Sequence, residues 1–118
     1  MIDHFNLPVI DIERSERFYT HVLKALGLRL LARDGNAIGY GVDSWQFGLI
    51  LSEPPIQTLH LAFRADSHAA VQAFFQAGLD AGAVSNGAPG IRPQYDPKYY
   101  AAFLRDLDGH NIEAVCRG

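Results

Sequence analysis

Apolar and polar residues alternate along "IDHFNLPV", which places Phe5, Leu7 and Val9 on one face of a predicted strand. The next stretch, "IERSERFYTHVLKALG", changes to helical spacing. Asp11 can cap this helix at its start, and Gly27 suits its end. Three apolar runs follow, separated by turn signals: "LRLLAR", "AIGYGV" and "WQFGLIL". The pattern therefore predicts a β-α-β-β-β order by about residue 51.

After "SEPPIQ", whose prolines suit neither a helix nor a central strand, the same order restarts. "TLHLAFRA" alternates, and "HAAVQAFFQAGLDAG" has helical spacing behind a cap at Asp66 or Ser67. A weakly marked strand near "AVSN", a long loop "GAPGIRPQYDPK" and the strands "YYAAFLRD" and "NIEAVC" complete the unit. We therefore predict one α+β domain built from two repeated β-α-β-β-β modules: module 1 (1–52), a linker (53–57) and module 2 (58–118).

The two modules match by position as well as by order. His4 precedes an aromatic pair in the first helix by fourteen residues, and His60 precedes an aromatic pair in the second helix by the same interval. Each histidine lies in the first strand of its module, on the face opposite the apolar residues. The last strands of the two modules align Glu113 with a position near Gly48. A symmetric repeat would carry an acidic residue at both places.

The composition of the chain argues against several classes of function. The chain has 118 residues and a formal net charge of −3, which argues against nucleic acid as its main partner. No apolar run reaches the length of a membrane span, and the first residues lack the pattern of a signal peptide. Cys116 is the only cysteine, so an internal disulfide is excluded. We therefore expect a cytoplasmic protein with a small-molecule ligand or substrate, and no membrane or nucleic-acid partner.

Glu113 lies among apolar residues in "NIEAVC", where a buried carboxylate is costly unless it is paired or binds a metal. Two imidazoles, His4 and His60, together with Glu113 would form a facial triad that leaves open positions on a divalent metal. Taken singly, the three residues could be an exposed histidine, a paired strand histidine and a solvent-facing glutamate. Their coincidence at equivalent places in the repeat favours a metal. His110 is expected in a turn, away from this site.

Three stretches, "DHFNLPVIDIERSERFYTHVLKALGL", "HLAFRAD" and "FLRDLDGHNIEAV", resemble the vicinal oxygen chelate superfamily over essentially the whole chain. That superfamily includes glyoxalase I, bleomycin-resistance proteins, fosfomycin-resistance thiol transferases and extradiol dioxygenases. The resemblance implies that the two modules form a cup-shaped mixed sheet. It also implies a divalent ion (Fe, Mn, Zn or Ni) held by His4, His60 and Glu113. Members of this length commonly form homodimers, with modules paired within or across chains.

The departures from these relatives narrow the expected function. Glyoxalase I has a fourth ligand near the position of Gly48, the thiol transferases have a threonine where Asn6 stands, and typical extradiol dioxygenases are longer. Bleomycin-resistance proteins generally lack the metal ligands that are present here. We expect a metal-dependent enzyme that binds substrate oxygens, with dioxygenase, lyase or thiol-transferase chemistry. The alternative is a metal-free protein that sequesters a small aromatic ligand. No residue is identified as the general base.

The long loop from Gly90 to Tyr100 could close over the cup and bind an anionic or aromatic ligand. It could equally be a surface loop with aromatic anchors beneath it. Trp45 is expected in the core. Alternation does not decide whether Phe103 points into the cup or into the core. Gly39 and Gly41, like Gly48, could leave space in the cup or be ordinary strand irregularities. The predicted substrate-binding residues are Asn6, Gly48, Arg92, Tyr95, Tyr99 and Phe103.

Overall fold

The structure is a computed structural model that describes all residues from 1 to 118. It contains the predicted β-α-β-β-β order twice. Neither helix combines the length and the apolar character that crossing a membrane requires. The elements are β1 (Phe5–Val9), α1 (Ile12–Lys24), β2 (Arg29–Asp34), β3 (Ala37–Gly41), β4 (Phe47–Leu51), β5 (His60–Arg64), α2 (His68–Asp80), β6 (Val84–Ile91), β7 (Tyr100–Arg105) and β8 (Asn111–Cys116).

Each module forms its own four-stranded mixed sheet, in the orders β1-β4-β3-β2 and β5-β8-β7-β6. In both sheets the first and last strands of the module are parallel neighbours, and the other pairs are antiparallel. Asn6 pairs with Gly48 in the first sheet, and Ala62 pairs with Glu113 in the second. Asn6 and Ala62 each stand two residues after the first-strand histidine. The register therefore makes Gly48 the structural counterpart of Glu113.

Both helices begin where their capping residues predict. The Asp11 carboxylate accepts the backbone N–H of Arg14 at 3.0 Å. The Ser67 hydroxyl accepts the backbone N–H of Ala70 at 3.0 Å, which selects Ser67 over Asp66 as the cap of α2. In the hairpin between β2 and β3, Gly35 has a φ of +60°, a conformation that glycine adopts without steric cost.

The apolar face of each sheet packs against the helices, as alternation in the sequence predicts. Leu7 and Val9 are fully buried. The rings of Phe47 and Phe63 lie 5.1 Å apart edge to face, so the core is continuous from one module to the other. One buried cluster therefore holds both modules together. The opposite face of each sheet does not contribute to this helix-packed core and is available for a binding site.

The strand β6 is longer than the sequence predicts. Its pattern suggested a short strand near "AVSN" followed by a loop from Gly87, whereas β6 continues to Ile91. Two register shifts interrupt its pairing with β7, and Gly87 adopts a φ of +149°. Such irregularities break the alternation of side chains, which removes the usual sequence signal of a strand. The loop is reduced to residues 92–99.

Buried polar contacts join the turn between β7 and β8 to module 1. The Tyr19 hydroxyl donates to Asp106 at 2.5 Å, and Arg14 contacts Asp108 at 3.1 Å. Asp106 also accepts the backbone N–H groups of Asp108 and His110. Burial is the main cause that raises the pKa of Asp108 above its ordinary value, and Asp106 adds to it. The acidic residues of "DLDGH" thus fix the packing of α1 on module 2.

His110 lies at the end of that turn, as predicted, but its ring is fully buried. Its Nδ1 accepts the backbone N–H of Leu59 at 3.0 Å, and its Nε2 lies 2.8 Å from the carbonyl oxygen of Pro8. Since a carbonyl only accepts, Nε2 carries the proton. A single neutral imidazole therefore joins the end of β1 to the residue that precedes β5.

Two contacts between the modules indicate that β1 and β5 run in roughly opposite directions. The end of β1 meets the start of β5 through the buried imidazole, while Phe5, at the start of β1, shares a cavity with Arg64, at the end of β5. No backbone pairing joins the two strands, so each is an edge strand of its own sheet. His60 is the first residue of β5, whereas His4 directly precedes β1 and thus lies outside its predicted strand; the two histidines line different cavities.

Candidate functional site

The parallel pairing of β5 and β8 brings His60 and Glu113 together. The Nε2 atom of His60 lies 3.1 Å from Oε1 of Glu113. The glutamate side chain is only 2% exposed, whereas that of His60 is half-exposed. A carboxylate buried to this extent needs a cationic or hydrogen-bonding partner. The predicted association of these two residues is present in the structure.

The orientation of the His60 ring follows from its other nitrogen. Nδ1 lies 3.0 Å from the backbone carbonyl oxygen of Asn111, so Nδ1 carries a proton and donates. In the neutral imidazole, Nε2 then presents its lone pair toward Glu113. Two acceptors at this distance need a proton or a cation between them, and either a proton on Nε2 or a metal ion bound by both atoms would meet that need. A backbone carbonyl on the second ring nitrogen is also the usual support of a metal-ligating histidine.

Tyr99 holds the other carboxylate oxygen. Its hydroxyl donates a short hydrogen bond to Oε2 of Glu113, which leaves Oε1 for His60 or a cation. Burial in the first place, and Glu113 in the second, raise the pKa of Tyr99 to about 12. The phenol therefore stays protonated at neutral pH and remains a donor. Tyr99, predicted as a substrate-binding residue, here fixes the orientation of Glu113.

This pair opens into a cavity of about 360 Å³. Phe103 pairs with Glu113 across β7 and β8, and its ring stacks on the His60 ring with the centroids 6.2 Å apart. The sequence left open which side of the sheet Phe103 points to, and the structure shows that it points into the cavity. The Arg117 guanidinium lies over the Tyr99 ring at 4.8 Å. Sequence reasoning missed Arg117, because it follows the last strand and belongs to no motif. The lining residues are His60, Tyr95, Tyr99, Phe103, Glu113 and Arg117.

Arg92 does not line this cavity. Its guanidinium donates to the backbone carbonyls of Gly90 at 2.7 Å and Ala88 at 2.8 Å. It also lies 5.4 Å from the centre of the Phe103 ring. Arg92 therefore connects the irregular end of β6 with Phe103, whose ring lines the cavity.

His4 lines a different cavity, of about 420 Å³, on the sheet of module 1. Its Nδ1 lies 2.8 Å from the carboxylate of Asp3. Within one chain, no group of three His, Cys, Asp or Glu side chains is placed to hold a metal ion. The structure thus brings together His60 and Glu113 but not His4, because β1 and β5 run in opposite directions. The other lining residues of the His4 cavity are Asn6, Ser44 and Trp45.

Trp45 is not a core residue, and the prediction that placed it there is wrong. Its side chain is partly exposed and lies over Gly39 and Gly48. The indole Nε1 donates to Oδ1 of Asn6 at 2.9 Å. Trp45 precedes β4 in an irregular turn, where alternation does not report which way a side chain points. The two glycines do leave space on this face of the sheet, and the indole occupies it.

The His60–Glu113 pair fits two ligands of one cation. Two cis ligands that each lie about 2.1 Å from a metal ion are about 3.0 Å apart in octahedral coordination and about 3.4 Å apart in tetrahedral coordination. The observed separation of 3.1 Å falls within this range. One imidazole nitrogen and one carboxylate oxygen suit divalent transition metals. One chain therefore brings together two side chains that are able to act as metal ligands.

Comparison with known proteins places the chain in a family. The model of the Glyoxalase/Bleomycin resistance protein/Dioxygenase superfamily matches residues 1–114. A glyoxalase/bleomycin resistance protein from Albidiferax ferrireducens T118 is 30% identical, with 97% of each chain covered and a TM-score of 0.86. A hypothetical protein from S. aureus is 25% identical over 96% of this chain and 94% of its own, with a TM-score of 0.71.

A family enzyme from Burkholderia phytofirmans PsJN, 20% identical, shares the fold with a TM-score of 0.75 over 99% of this chain and 98% of its own. A search of the curated proteins finds no match. The fold, the repeated register and the family model agree with one another. The chain belongs to the glyoxalase/bleomycin resistance protein/dioxygenase superfamily, also called the vicinal oxygen chelate superfamily.

Proposed function

We propose that this protein is a metal-dependent enzyme whose site is shared between two copies of the chain. His60 and Glu113 of one copy and His4 of the other hold a divalent cation. One observation carries the proposal: the Nε2 atom of His60 lies 3.1 Å from the buried Glu113 carboxylate, although both groups are acceptors when the imidazole is neutral. Asn111 and Tyr99 hold the two side chains in this orientation from behind.

The strand directions support a site built from two copies. Each chain carries the His4 half of the site at one end of the β1–β5 pair and the His60–Glu113 half at the other. A two-fold axis repeats every contact, so one isologous dimer completes two equal sites. The strands β1 and β5 are also edge strands, with backbone groups that a second copy can cover.

The chemistry follows from the residues around the pair. A bound divalent cation would act as a Lewis acid toward oxygen atoms of a small substrate. Tyr99 keeps one oxygen of Glu113 occupied, so that the carboxylate offers the other. Phe103 and Tyr95 restrict water on the cavity side, and Arg117 adds a positive charge that favours an anionic substrate. Lyase, dioxygenase and thiol-transferase reactions all suit such a site.

A second function, binding without turnover, is supported by a different observation. The cavity beside Glu113 is lined by three aromatic side chains, Tyr95, Tyr99 and Phe103, and one guanidinium. Such a surface suits a small aromatic anion whether or not a metal is present. In this alternative the His60–Glu113 contact is an ordinary ion pair. Metal affinity distinguishes the two functions.

The first experiment is a calorimetric titration of the apo-protein with zinc, manganese and iron(II). Each of the variants His4→Gln, His60→Gln and Glu113→Gln should lower the affinity by about 100-fold or more, because each removes one ligand. His21→Gln is the matched control, since His21 is exposed on α1. Unchanged affinity in Glu113→Gln would leave the metal-free binding function as the better account.

The second experiment tests whether the site is shared. His4→Gln and Glu113→Gln chains are mixed so that heterodimers form. In a shared site, one of the two sites of the heterodimer has all three ligands and the other lacks two. The isolated heterodimer should therefore bind metal at half of the wild-type stoichiometry. If each site were built within one chain, both sites would stay defective and mixing would restore nothing.

A further inference from the structure

The face of module 1 that carries His4 differs from its counterpart in module 2 at two paired positions. Glu113 pairs with Phe103 across β7 and β8, and Gly48 pairs with Gly39 across β3 and β4. Two large side chains of module 2 thus correspond to two glycines in module 1. The space above these glycines is occupied by the indole of Trp45, which comes from outside the strands.

The indole fits this place closely. A Cβ atom at Gly39 would lie 2.3 Å from the Trp45 ring, and a Cβ at Gly48 would lie 2.5 Å from its Nε1 and 2.2 Å from Oδ1 of Asn6. Real Cβ atoms do not approach other atoms so closely, so the indole excludes a side chain at Gly39, and the indole together with Asn6 excludes one at Gly48 in this arrangement. The hydrogen bond of 2.9 Å from Nε1 to Asn6 fixes the ring in its plane. No protein ligand can therefore arise at Gly48.

The same ring is accessible from the cavity that contains His4. Trp45 is partly exposed and lines this cavity together with the carboxylate Asp3, His4, Asn6 and Ser44. An exposed indole face attracts flat π-systems, and such pairs gain more than their buried area alone provides. A ligand whose oxygens meet the cation at His4 would extend over this ring.

We propose that Trp45 determines the substrate specificity of the site. Its indole excludes a fourth protein ligand and offers a flat face on which the aromatic or conjugated part of an oxygen-chelating substrate stacks. The inference rests on the proposed function, because it places the cation beside His4. It adds one property of the substrate, a flat, apolar group beside the oxygen atoms that the family is already expected to bind.

The test compares two chelators that differ only in the flat group, acetohydroxamate and benzohydroxamate, on the zinc-loaded dimer. The ratio of their dissociation constants measures the contribution of the phenyl ring. This ratio should be about threefold to tenfold larger in the wild type than in Trp45→Ala, the range expected of one aromatic contact. Trp45→Phe should retain part of the preference. Tyr100→Ala removes an aromatic residue that lines neither cavity and stacks on His68, so it should leave the ratio unchanged; Tyr95→Ala tests stacking on the other module instead.

Fluorescence gives an independent readout, because Trp45 is the only tryptophan. Benzohydroxamate should change its emission at saturation, and acetohydroxamate should change it much less. An equal ratio in wild type and Trp45→Ala, or a ratio lowered only by Tyr95→Ala, would overturn the role of Trp45 while the metal site stands. Failure of the wild type to take up zinc would overturn the proposed function, and this inference with it. Thermal unfolding of each variant confirms that it is folded.

Discussion

The inner faces of the two modules share one backbone register and carry opposite chemistry. In module 2, a buried carboxylate lies between an imidazole and a phenol. In module 1, the equivalent position is Gly48, and a tryptophan from a turn covers it. The repeat therefore preserves the backbone and the helix-facing apolar residues, which both modules need for their core. The inner faces are free of that constraint, so one can hold reactive groups while the other forms a shaped surface.

The contact that holds the two modules in their relative orientation should have the largest effect on stability. His110→Ala leaves the Pro8 carbonyl and the Leu59 N–H without partners in a buried place. We expect a loss of about 3 kcal/mol in the free energy of unfolding, measured by urea denaturation. His21→Ala is the matched exposed control and should change stability by less than about 0.5 kcal/mol. A small loss in His110→Ala would mean that other contacts orient the modules.

Installing the carboxylate of module 2 in module 1 should cost somewhat less. Gly48→Glu forces a side chain into the space of Trp45, so stability should fall by about 2 kcal/mol. In the Trp45→Ala background the same change should cost clearly less, since the ring is gone. The interaction energy of the double-mutant cycle measures the conflict directly. Additive effects would show that the indole and a side chain at position 48 do not compete.

Removing the donor to Glu113 should have a smaller effect. Tyr99→Phe leaves one oxygen of a buried carboxylate without its hydrogen bond. We expect a loss of about 1.5 kcal/mol in unfolding free energy, together with weaker metal binding. Tyr95→Phe is the matched control, because Tyr95 is exposed and its hydroxyl has no hydrogen-bond partner in the structure. Equal effects of the two variants would contradict the role given to Tyr99.

The prediction with the smallest effect at neutral pH concerns the pH dependence of stability, to which the phenols of Tyr40 in module 1 and Tyr99 in module 2 contribute. Burial is the main cause that raises the pKa of Tyr40 to about 12, and it also leads the rise of the Tyr99 pKa to about 12. The folded chain thus holds these protons more tightly than the unfolded chain, whose tyrosines titrate near pH 10. The resulting stabilisation is complete below about pH 10 and is lost as the pH rises toward 12.

Denaturation series between pH 9 and about pH 12 would measure this dependence. Tyr40→Phe should flatten the fall in stability in part, because Tyr40 no longer titrates; Tyr19, whose pKa is raised well above its ordinary value by burial and by Asp106, remains in module 1. Tyr99→Phe should flatten it to a similar degree from module 2. If neither substitution alters the slope, the alkaline loss of stability has another origin.

Much of the fold could be predicted from local patterns. Alternation placed Leu7 and Val9 in the core, and the cap at Asp11 marked the start of α1. The repeat also identified Gly48 as the counterpart of Glu113, which the strand register confirms. These features depend on which face of an element meets the core, and neighbouring residues in the chain report that face.

Other features of the site had no local signal. The direction of Trp45 depends on a turn, the length of β6 on two register shifts, and the role of Arg117 on a ring that it meets only in the folded chain. Each of these results from contacts between residues that are distant in sequence or lie outside regular alternation. Periodicity does not describe such contacts.

The sequence by itself determined the two modules and the core face of each sheet, because these follow from repeated spacing within each module; the contact of His60 with Glu113 results from the parallel pairing of β5 with β8. Only the tertiary structure decided where His4 lies. The orientation of module 1 on module 2 depends on a few buried contacts, chiefly those of His110 and Asp106. Two histidines that are equivalent by sequence therefore face different cavities, since the pairing of whole modules is independent of the periodicity inside them.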